Sequence, residues 1–94
     1  MNDAMRLDRF LWFARLSATR AYAQTLAVSG HVRIDGRPTG KAAAMVRVGA
    51  VLTYADHRGV VRSVQVEVLP MRRGPPAEAR ACFTDLIDAS PPAT

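Results

Sequence analysis

The side chains that could do chemistry in this sequence are mostly cations in its first half. Arginine accounts for all but one of the 13 cationic residues, the exception being Lys41. Residues 1–41 carry seven cations against three anions, whereas residues 75–94 carry one cation against three anions. A guanidinium group donates paired hydrogen bonds to phosphate oxygens and stacks on flat rings. The positive excess extends over the first three-quarters of the chain and the end reverses sign, which predicts that a polyanion binds the front of the protein.

The sequence offers little for catalysis or for metal binding. Its two histidines, His31 and His57, have no serine or cysteine partner at a spacing typical of nucleophilic catalysis. Cys82 is the only cysteine, so it cannot form an internal disulfide, and this favours a reducing compartment. The glycines fall singly at predicted turns rather than in a phosphate-binding loop. We therefore expect a protein that is not an enzyme and that holds neither a metal nor a cofactor.

Length and apolar content set bounds on the architecture. A chain of 94 residues, of which 49% are hydrophobic, suits a single small domain over 1–94 with a core of its own. No apolar run approaches the roughly 20 residues that a membrane span needs, and the N-terminus has no signal-peptide pattern. These features predict a cytoplasmic protein without a membrane partner.

Two short helices are predicted to position the first arginines. The buried face of the first helix is marked by apolar residues at three- and four-residue spacing: Leu7, Phe10, Leu11 and Ala14. Asp8 favours its first turn, and residues 1–5 are expected to be loose. Ser17 is predicted to cap a second helix over about 18–29, which Gly30 would end.

A small antiparallel sheet and a last helix are predicted to follow. Residues 32–34 alternate apolar and polar side chains, 35–36 is an Asp-Gly turn, and 38–40 is interpreted as a loop. The remaining sheet strands are expected within 53–69, and a C-terminal helix over 75–88. This order predicts an α+β fold in which a helix–loop–helix precedes a small antiparallel sheet.

The arginines of the first half are spread over these two helices and the strand that follows them. The candidate contacts with a polyanion are Arg9, Arg15, Arg20, His31, Arg33 and Lys41, with Thr19 and Gln24 as further polar groups. Arg20 and Gln24 are four residues apart and therefore share one helix face. The alternative is that the arginines only form a solvated surface. Trp12, like its aromatic neighbours, is interpreted as a core residue. The residues alone indicate a polyanion binder, with nucleic acid favoured.

Two runs of residues indicate a resemblance to a known protein family. The first run comprises Arg6-Leu7-Asp8-Arg9-Phe10-Leu11-Trp12, Ala14-Arg15-Leu16, Thr19-Arg20, Ala23 and Gly30-His31-Val32-Arg33-Ile34-Asp35-Gly36. It resembles the RNA-binding domain of the ribosomal protein S4 type, the αL RNA-binding motif, over about 6–52. The stretch RLDRFLWFAR, together with residues 72–79, is similar to the family of the ribosome-associated heat shock protein 15. The resemblance implies a helix–loop–helix followed by a hairpin that binds structured RNA.

The resemblance also implies a partner and a set of contacts. The family binds free large ribosomal subunits that still carry a nascent chain on tRNA, and it assists their recycling after heat stress. The implied RNA contacts are Arg6, Arg9, Arg15, Thr19, Arg20, Gln24, Arg33 and Lys41, and His31 stands where a basic residue is usual. Replacing Arg15 or Arg20 with alanine should then weaken RNA binding and leave thermal stability nearly unchanged.

Three alternatives belong to other functional classes. The same module often accompanies enzymes that modify or charge RNA, so this chain could be the accessory module of such a system. The predicted helix over 77–87 could instead dock on a protein, with the arginines only solvating the surface. Two short helices and a turn also resemble a DNA-binding helix-turn-helix. The hairpin directly after the second helix favours the RNA module over a DNA-binding one.

Overall fold

The computed structural model of the chain describes residues 3–56 and 58–86. In this part of the chain the helices and strands are β1 (Ala4–Arg6), α1 (Leu7–Phe13), α2 (Arg20–Val28), β2 (Val32–Ile34), β3 (Arg37–Thr39), β4 (Met45–Arg47), β5 (Val51–Ala55), β6 (Val61–Val66), α3 (Pro76–Arg80) and β7 (Phe83–Asp85). Helices and antiparallel strands occur together, which confirms the predicted α+β class. None of the helices in these residues is long and apolar enough to cross a membrane.

Helix α1 ends in a Schellman motif. The carbonyl of Leu11 accepts the N–H of Leu16 at 3.0 Å, and the carbonyl of Trp12 accepts the N–H of Arg15 at 3.2 Å. Arg15 has a φ of 58°, the left-handed conformation that this motif requires of the first residue after the helix cap and that glycine usually supplies. Leu11 and Leu16 are both buried in the core, as the motif's apolar contact demands. The motif turns the chain sharply from α1 into the loop before α2.

The cap of α2 differs from the predicted one. Helix α2 begins at Arg20, and the side chain of Thr19 accepts the N–H of Tyr22 at 3.0 Å. Ser17, predicted as the cap, is buried and donates its hydroxyl to the carbonyl of Thr19 at 2.7 Å. Because the N–H of Ser17 also donates to the carbonyl of Leu11, at 3.1 Å, Ser17 belongs to the turn that ends α1, and the next helix begins after it. Gly30, with a φ of 85°, follows the helix as predicted.

The strands form two antiparallel sheets. Strands β1 and β4 pair with each other, and the larger sheet has the order β3-β2-β5-β6-β7. Asp35 and Gly36 both have positive φ, at 52° and 84°, which confirms the tight turn predicted between β2 and β3. Residues 38–40 were expected to be a loop, but Pro38 and Thr39 belong to strand β3. This strand lies at the edge of the sheet, where a proline is tolerated although it has no backbone N–H to donate. Residues 1–5 were expected to be loose, but residues 4–6 form β1 and pair with β4.

The C-terminal part corrects another prediction. The helix expected over 75–88 is confined to Pro76–Arg80, and strand β7 follows it. Strand β7 pairs with β6, with Phe83 opposite Val66, so the sheet strands are not confined to 53–69. The pairing explains the difference, because β7 satisfies donors and acceptors along the otherwise open edge of β6. Residues 87–88 of the predicted helix, like His57, lie outside the described residues.

One apolar cluster joins the helices to the sheet. The predicted buried face of α1 is confirmed, since Leu7, Phe10 and Leu11 are fully buried and Ala14 is 1% exposed. These residues pack in one cluster with buried residues of α2 and of strands β2, β4, β5 and β6. Because α1 is fixed by this core along one side, its opposite side can present polar groups in a defined position.

Candidate functional site

A polar cavity of about 230 Å³ lies where the exposed side of α1 meets the first turns of α2. Its lining residues, which we call the arginine groove, are Arg6, Asp8, Arg9, Trp12, Arg20 and Gln24. Three guanidinium groups face one carboxylate there, so the formal charge of the lining is positive. Four of the predicted contact residues are thus brought together by the fold.

Both helices hold the groove residues by their spacing and by backbone contacts. The N–H groups of Leu7 and Asp8, at the start of α1, donate to the carbonyls of Ala44 at 2.8 Å and Ala42 at 3.2 Å. These bonds fix the first turn of α1 and use the donors that would otherwise be free there. Side chains three or four residues apart then share a helix face, which places Trp12 beside Arg9 and Gln24 beside Arg20.

The guanidinium groups of the groove are not equivalent. Arg6 donates through Nε and Nη2 to both carboxylate oxygens of Asp8, at 3.1 and 3.0 Å. These hydrogen bonds and the charge of Asp8 raise the pKa of Arg6. Among the described residues, Arg9 and Arg20 have no ion pair and no side-chain hydrogen bond. Two guanidinium groups therefore line the groove with their donors unused, as a binding site for phosphate requires.

Trp12 joins the groove to a second part of the chain. The guanidinium carbon of Arg73 lies 3.8 Å from the centroid of the Trp12 ring, a cation–π contact. Nε of Arg73 also donates to the carbonyl of Trp12 at 3.1 Å. Partial burial and the nearby charge of Arg15 lower the pKa of Arg73. Trp12 thus lines the groove while Arg73, which is not itself a lining residue, is held against its ring.

Arg15 holds the same distant segment and does not line the groove. Its Nε donates to the carbonyl of Gly74 at 2.7 Å. Arg72, in the same segment, donates through Nε and Nη2 to the two carboxylate oxygens of Glu78, at 3.1 and 2.8 Å. Residues 72–74, which we call the arginine strap, are therefore tied both to the end of α1 and to α3. Arg15 has a structural contact that the sequence did not indicate.

The other predicted contact residues lie outside the groove lining. Arg33 is exposed and donates through Nη1 to the carbonyl of Gly36 at 3.1 Å, across its own hairpin. His31 and Lys41 are exposed. Thr19 caps α2 with its hydroxyl oxygen. The structure therefore groups Arg6, Arg9, Arg20 and Gln24 and leaves five candidates elsewhere on the surface or in structural contacts.

Sequence reasoning missed the roles of two residues. Trp12 packs against the core cluster, as expected of a core residue, but it is only half-buried and also lines the groove. Its position three residues after Arg9 could have placed it on the polar face of α1. Arg73 is 61 residues from Trp12 in sequence, so no local pattern indicates their contact.

The structure changes the expected effect of replacing Arg15. Alanine would lose the bond to Gly74 and keep the left-handed backbone, whereas glycine would lose the bond but adopt that backbone freely. We expect Arg15→Ala to lower the free energy of unfolding, and Arg15→Gly to be more stable than Arg15→Ala by about 1 kcal/mol. Urea unfolding of the three proteins measures both differences. An alanine variant as stable as the wild type would show that the strap contact contributes nothing.

Metal chemistry has no support in the described residues. Residues 3–56 and 58–86 contain no group of three or more His, Cys, Asp or Glu side chains placed to hold an ion. Cys82 is buried, and burial together with the nearby charge of Glu78 raises the pKa of its thiol.

Comparisons with known proteins agree with this arrangement. The model of the S4 domain family matches residues 5–52, which contain α1, α2 and every residue of the groove. Heat shock protein 15 of Escherichia coli strain K12 is 31% identical over 85 residues, covering 90% of this chain and 62% of that protein. The protein of the same name from Escherichia coli O157:H7 matches equally. The chain spans about three-fifths of the length of these curated relatives.

A solved structure extends the likeness beyond the family model. A trimeric structure of Vibrio cholerae heat shock protein 15 matches with a TM-score of 0.77 and 28% sequence identity. The match covers 87% of this chain and 81% of that one. The matched share, 87% of this chain, is larger than residues 5–52, so the likeness extends beyond the family's module.

Proposed function

The chain belongs to the S4 domain family, whose members bind RNA, and on that basis we propose that it is a non-enzymatic protein that binds ribosomal RNA of the large subunit. The observation that supports this most is the pair of guanidinium groups, Arg9 and Arg20, that line one polar groove and have no partner within residues 3–56 and 58–86. Phosphates of a folded RNA would accept hydrogen bonds from both groups. Gln24 would add a neutral donor and acceptor beside them.

Recognition in this proposal depends on the shape of the RNA rather than on a base code. Phosphate contacts position a protein on RNA, and A-form helices hide the base edges of their deep groove from side chains. The contacts we propose are Arg6, Arg9, Arg15, Thr19, Arg20, Gln24, His31, Arg33 and Lys41, with the groove residues foremost. Neutralising about four to six phosphates would make binding fall steeply with salt, by about 0.7 to 0.9 in the logarithmic slope for each phosphate.

The proposed context is the cytoplasm after heat stress. Relatives similar along 90% of the chain bear the name heat shock protein 15, which supports a role in the stress response. We propose that the protein binds free large subunits, including those that carry peptidyl-tRNA, and assists their recycling. The bound RNA would supply the partner, and no cofactor is needed for this activity.

Binding to isolated large subunits, small subunits, free tRNA and duplex DNA tests the proposal. We expect a preference for the large subunit that persists near physiological salt, because shape-specific contacts add to the screened charge attraction. Equal binding to all four that salt abolishes would contradict it and leave only a basic surface. Preference for duplex DNA would favour the helix-turn-helix alternative, and feeble binding that hardly depends on salt would favour a protein-docking module.

A further inference from the structure

The stacked pair of Trp12 and Arg73 gives the groove a feature that phosphate binding does not explain. Phosphate needs donors and positive charge, which Arg9 and Arg20 supply without an aromatic wall. Trp12 is half-buried, lines the polar cavity, and carries a guanidinium group at 3.8 Å from its ring centroid. An aromatic ring and a flat cation beside unpaired phosphate donors are together typical of sites that take a nucleotide base.

We propose that Trp12 and Arg73 form a stacking platform for one unpaired RNA base, while Arg9 and Arg20 bind the phosphates beside it. The proposal rests on the RNA-binding function proposed above and specifies the class of RNA: folded RNA that exposes an unpaired nucleotide. A base inside a duplex is stacked on its neighbours and cannot reach the platform, whereas a bulged or loop base can.

The orientation of Arg73 makes it suited to this role. Its Nε bond to the Trp12 carbonyl, at 3.1 Å, holds the guanidinium plane against the indole before any RNA arrives. The Arg15 bond to Gly74, at 2.7 Å, fixes the backbone of the adjacent residue. A side chain that is already ordered loses little conformational entropy when a ligand binds it. The arginine strap thus orders, in advance, the Trp12 ring that lines the groove.

Gln24 supplies the remaining element of base recognition. Its side-chain amide lines the same cavity and is exposed at the surface of α2. An amide offers both a donor and an acceptor, which suits the edge of a base better than a phosphate. Stacking on Trp12 and Arg73 would accept any base, and Gln24 would favour a base whose edge it can bond.

The single tryptophan of the chain makes a direct test available. Two labelled RNA duplexes of equal charge are compared, one fully paired with a terminal phosphate and one with a single bulged adenosine, and both affinity and Trp12 fluorescence are recorded. We expect the bulged RNA to bind about tenfold more tightly and to quench the fluorescence, because stacking on an aromatic side chain contributes about that much per base. The paired RNA is expected to bind with little change in fluorescence.

Two arginine-to-lysine substitutions separate the effect of stacking on RNA binding from the effect of charge. Arg73→Lys keeps the charge but removes the flat group and its Nε bond, so the preference for bulged RNA should fall to about twofold or less. Arg37→Lys is the matched control, because Arg37 is exposed on β3 and neither lines the groove nor belongs to the arginine strap. It should leave the preference unchanged.

The outcomes distinguish this inference from the proposed function. Equal binding of both RNAs with unchanged fluorescence would overturn the stacking platform and leave RNA binding intact. An equal effect of Arg73→Lys and Arg37→Lys on the preference would also overturn it. Failure of the wild-type protein to bind either RNA, or large subunits, would instead contradict the proposed function itself.

Discussion

Replacing Arg9 and Arg20 together with alanine is expected to weaken RNA binding by about 100-fold near physiological salt. Hydrogen bonds to charged groups contribute about 1.5 kcal/mol or more each, and each 1.4 kcal/mol is tenfold in affinity. Neither side chain has a hydrogen-bond partner among the described residues, so the free energy of unfolding should change by less than about 1 kcal/mol. Anisotropy with a labelled RNA, beside urea unfolding, measures both quantities.

A control variant removes the same type of charge elsewhere. Arg37 is exposed on β3 and does not line the groove, so Arg37→Ala should lower the affinity only through the net charge, by about threefold or less. If Arg37→Ala and each single groove variant lowered the affinity equally, binding would depend on total charge. If the double variant unfolded while its folded fraction still bound RNA normally, Arg9 and Arg20 would be structural.

The largest effect on stability is expected from Leu11→Ala. Leu11 is fully buried in the core cluster, and its carbonyl accepts the N–H groups of Leu16 and Ser17 in the Schellman motif. A buried leucine replaced by alanine loses transfer free energy and leaves a cavity, which together cost about 2–5 kcal/mol. That is a large share of the 5–15 kcal/mol typical of a domain. The midpoint and slope of urea unfolding give the loss of unfolding free energy directly.

The same deletion at a less buried site provides the comparison. Leu86 is 36% exposed, so Leu86→Ala should destabilise the fold by about 1 kcal/mol or less. A cost of less than about 2 kcal/mol for Leu11→Ala would mean that α1 is not packed as described. The groove residues on the opposite side of α1 would then have no fixed position.

Local patterns were enough to predict the elements whose cause is local. The three- and four-residue spacing of Leu7, Phe10 and Leu11 determines which side of α1 is buried, and all three are fully buried. The Asp-Gly pair at 35–36 favours positive φ at two consecutive residues, and that turn forms. In each case the residues that decide the structure are near one another in the sequence.

Elements that depend on distant pairing were not predictable in the same way. Strand β7 has only three residues, and it forms because β6 offers an open edge. Residues 4–6 become a strand because β4, some 40 residues later, pairs with them. A short segment has no periodicity long enough to distinguish it from a loop or a helix, so only the tertiary partner decides its state.

The residues of the candidate site also divide into those that local spacing predicts and those that depend on distant contacts. The four-residue spacing of Arg20 and Gln24 correctly placed both on one face of α2, and both line the groove. The charge of Arg15 makes it a candidate RNA contact, but its backbone conformation and its bond to Gly74 appear only in the folded chain. Trp12 is apolar enough for the core and polar enough for the surface, so composition alone could not assign it.

The salt dependence of RNA affinity tests the central claim most directly, because it counts phosphate contacts. The slope of log affinity against log salt is measured for the wild type, for Arg37→Ala and for the Arg9→Ala, Arg20→Ala double variant. If these two residues each neutralise a phosphate, the double variant should have a slope shallower by about 1.5, and Arg37→Ala the slope of the wild type. Identical slopes for all three proteins would contradict the claim that the arginine groove binds RNA phosphates.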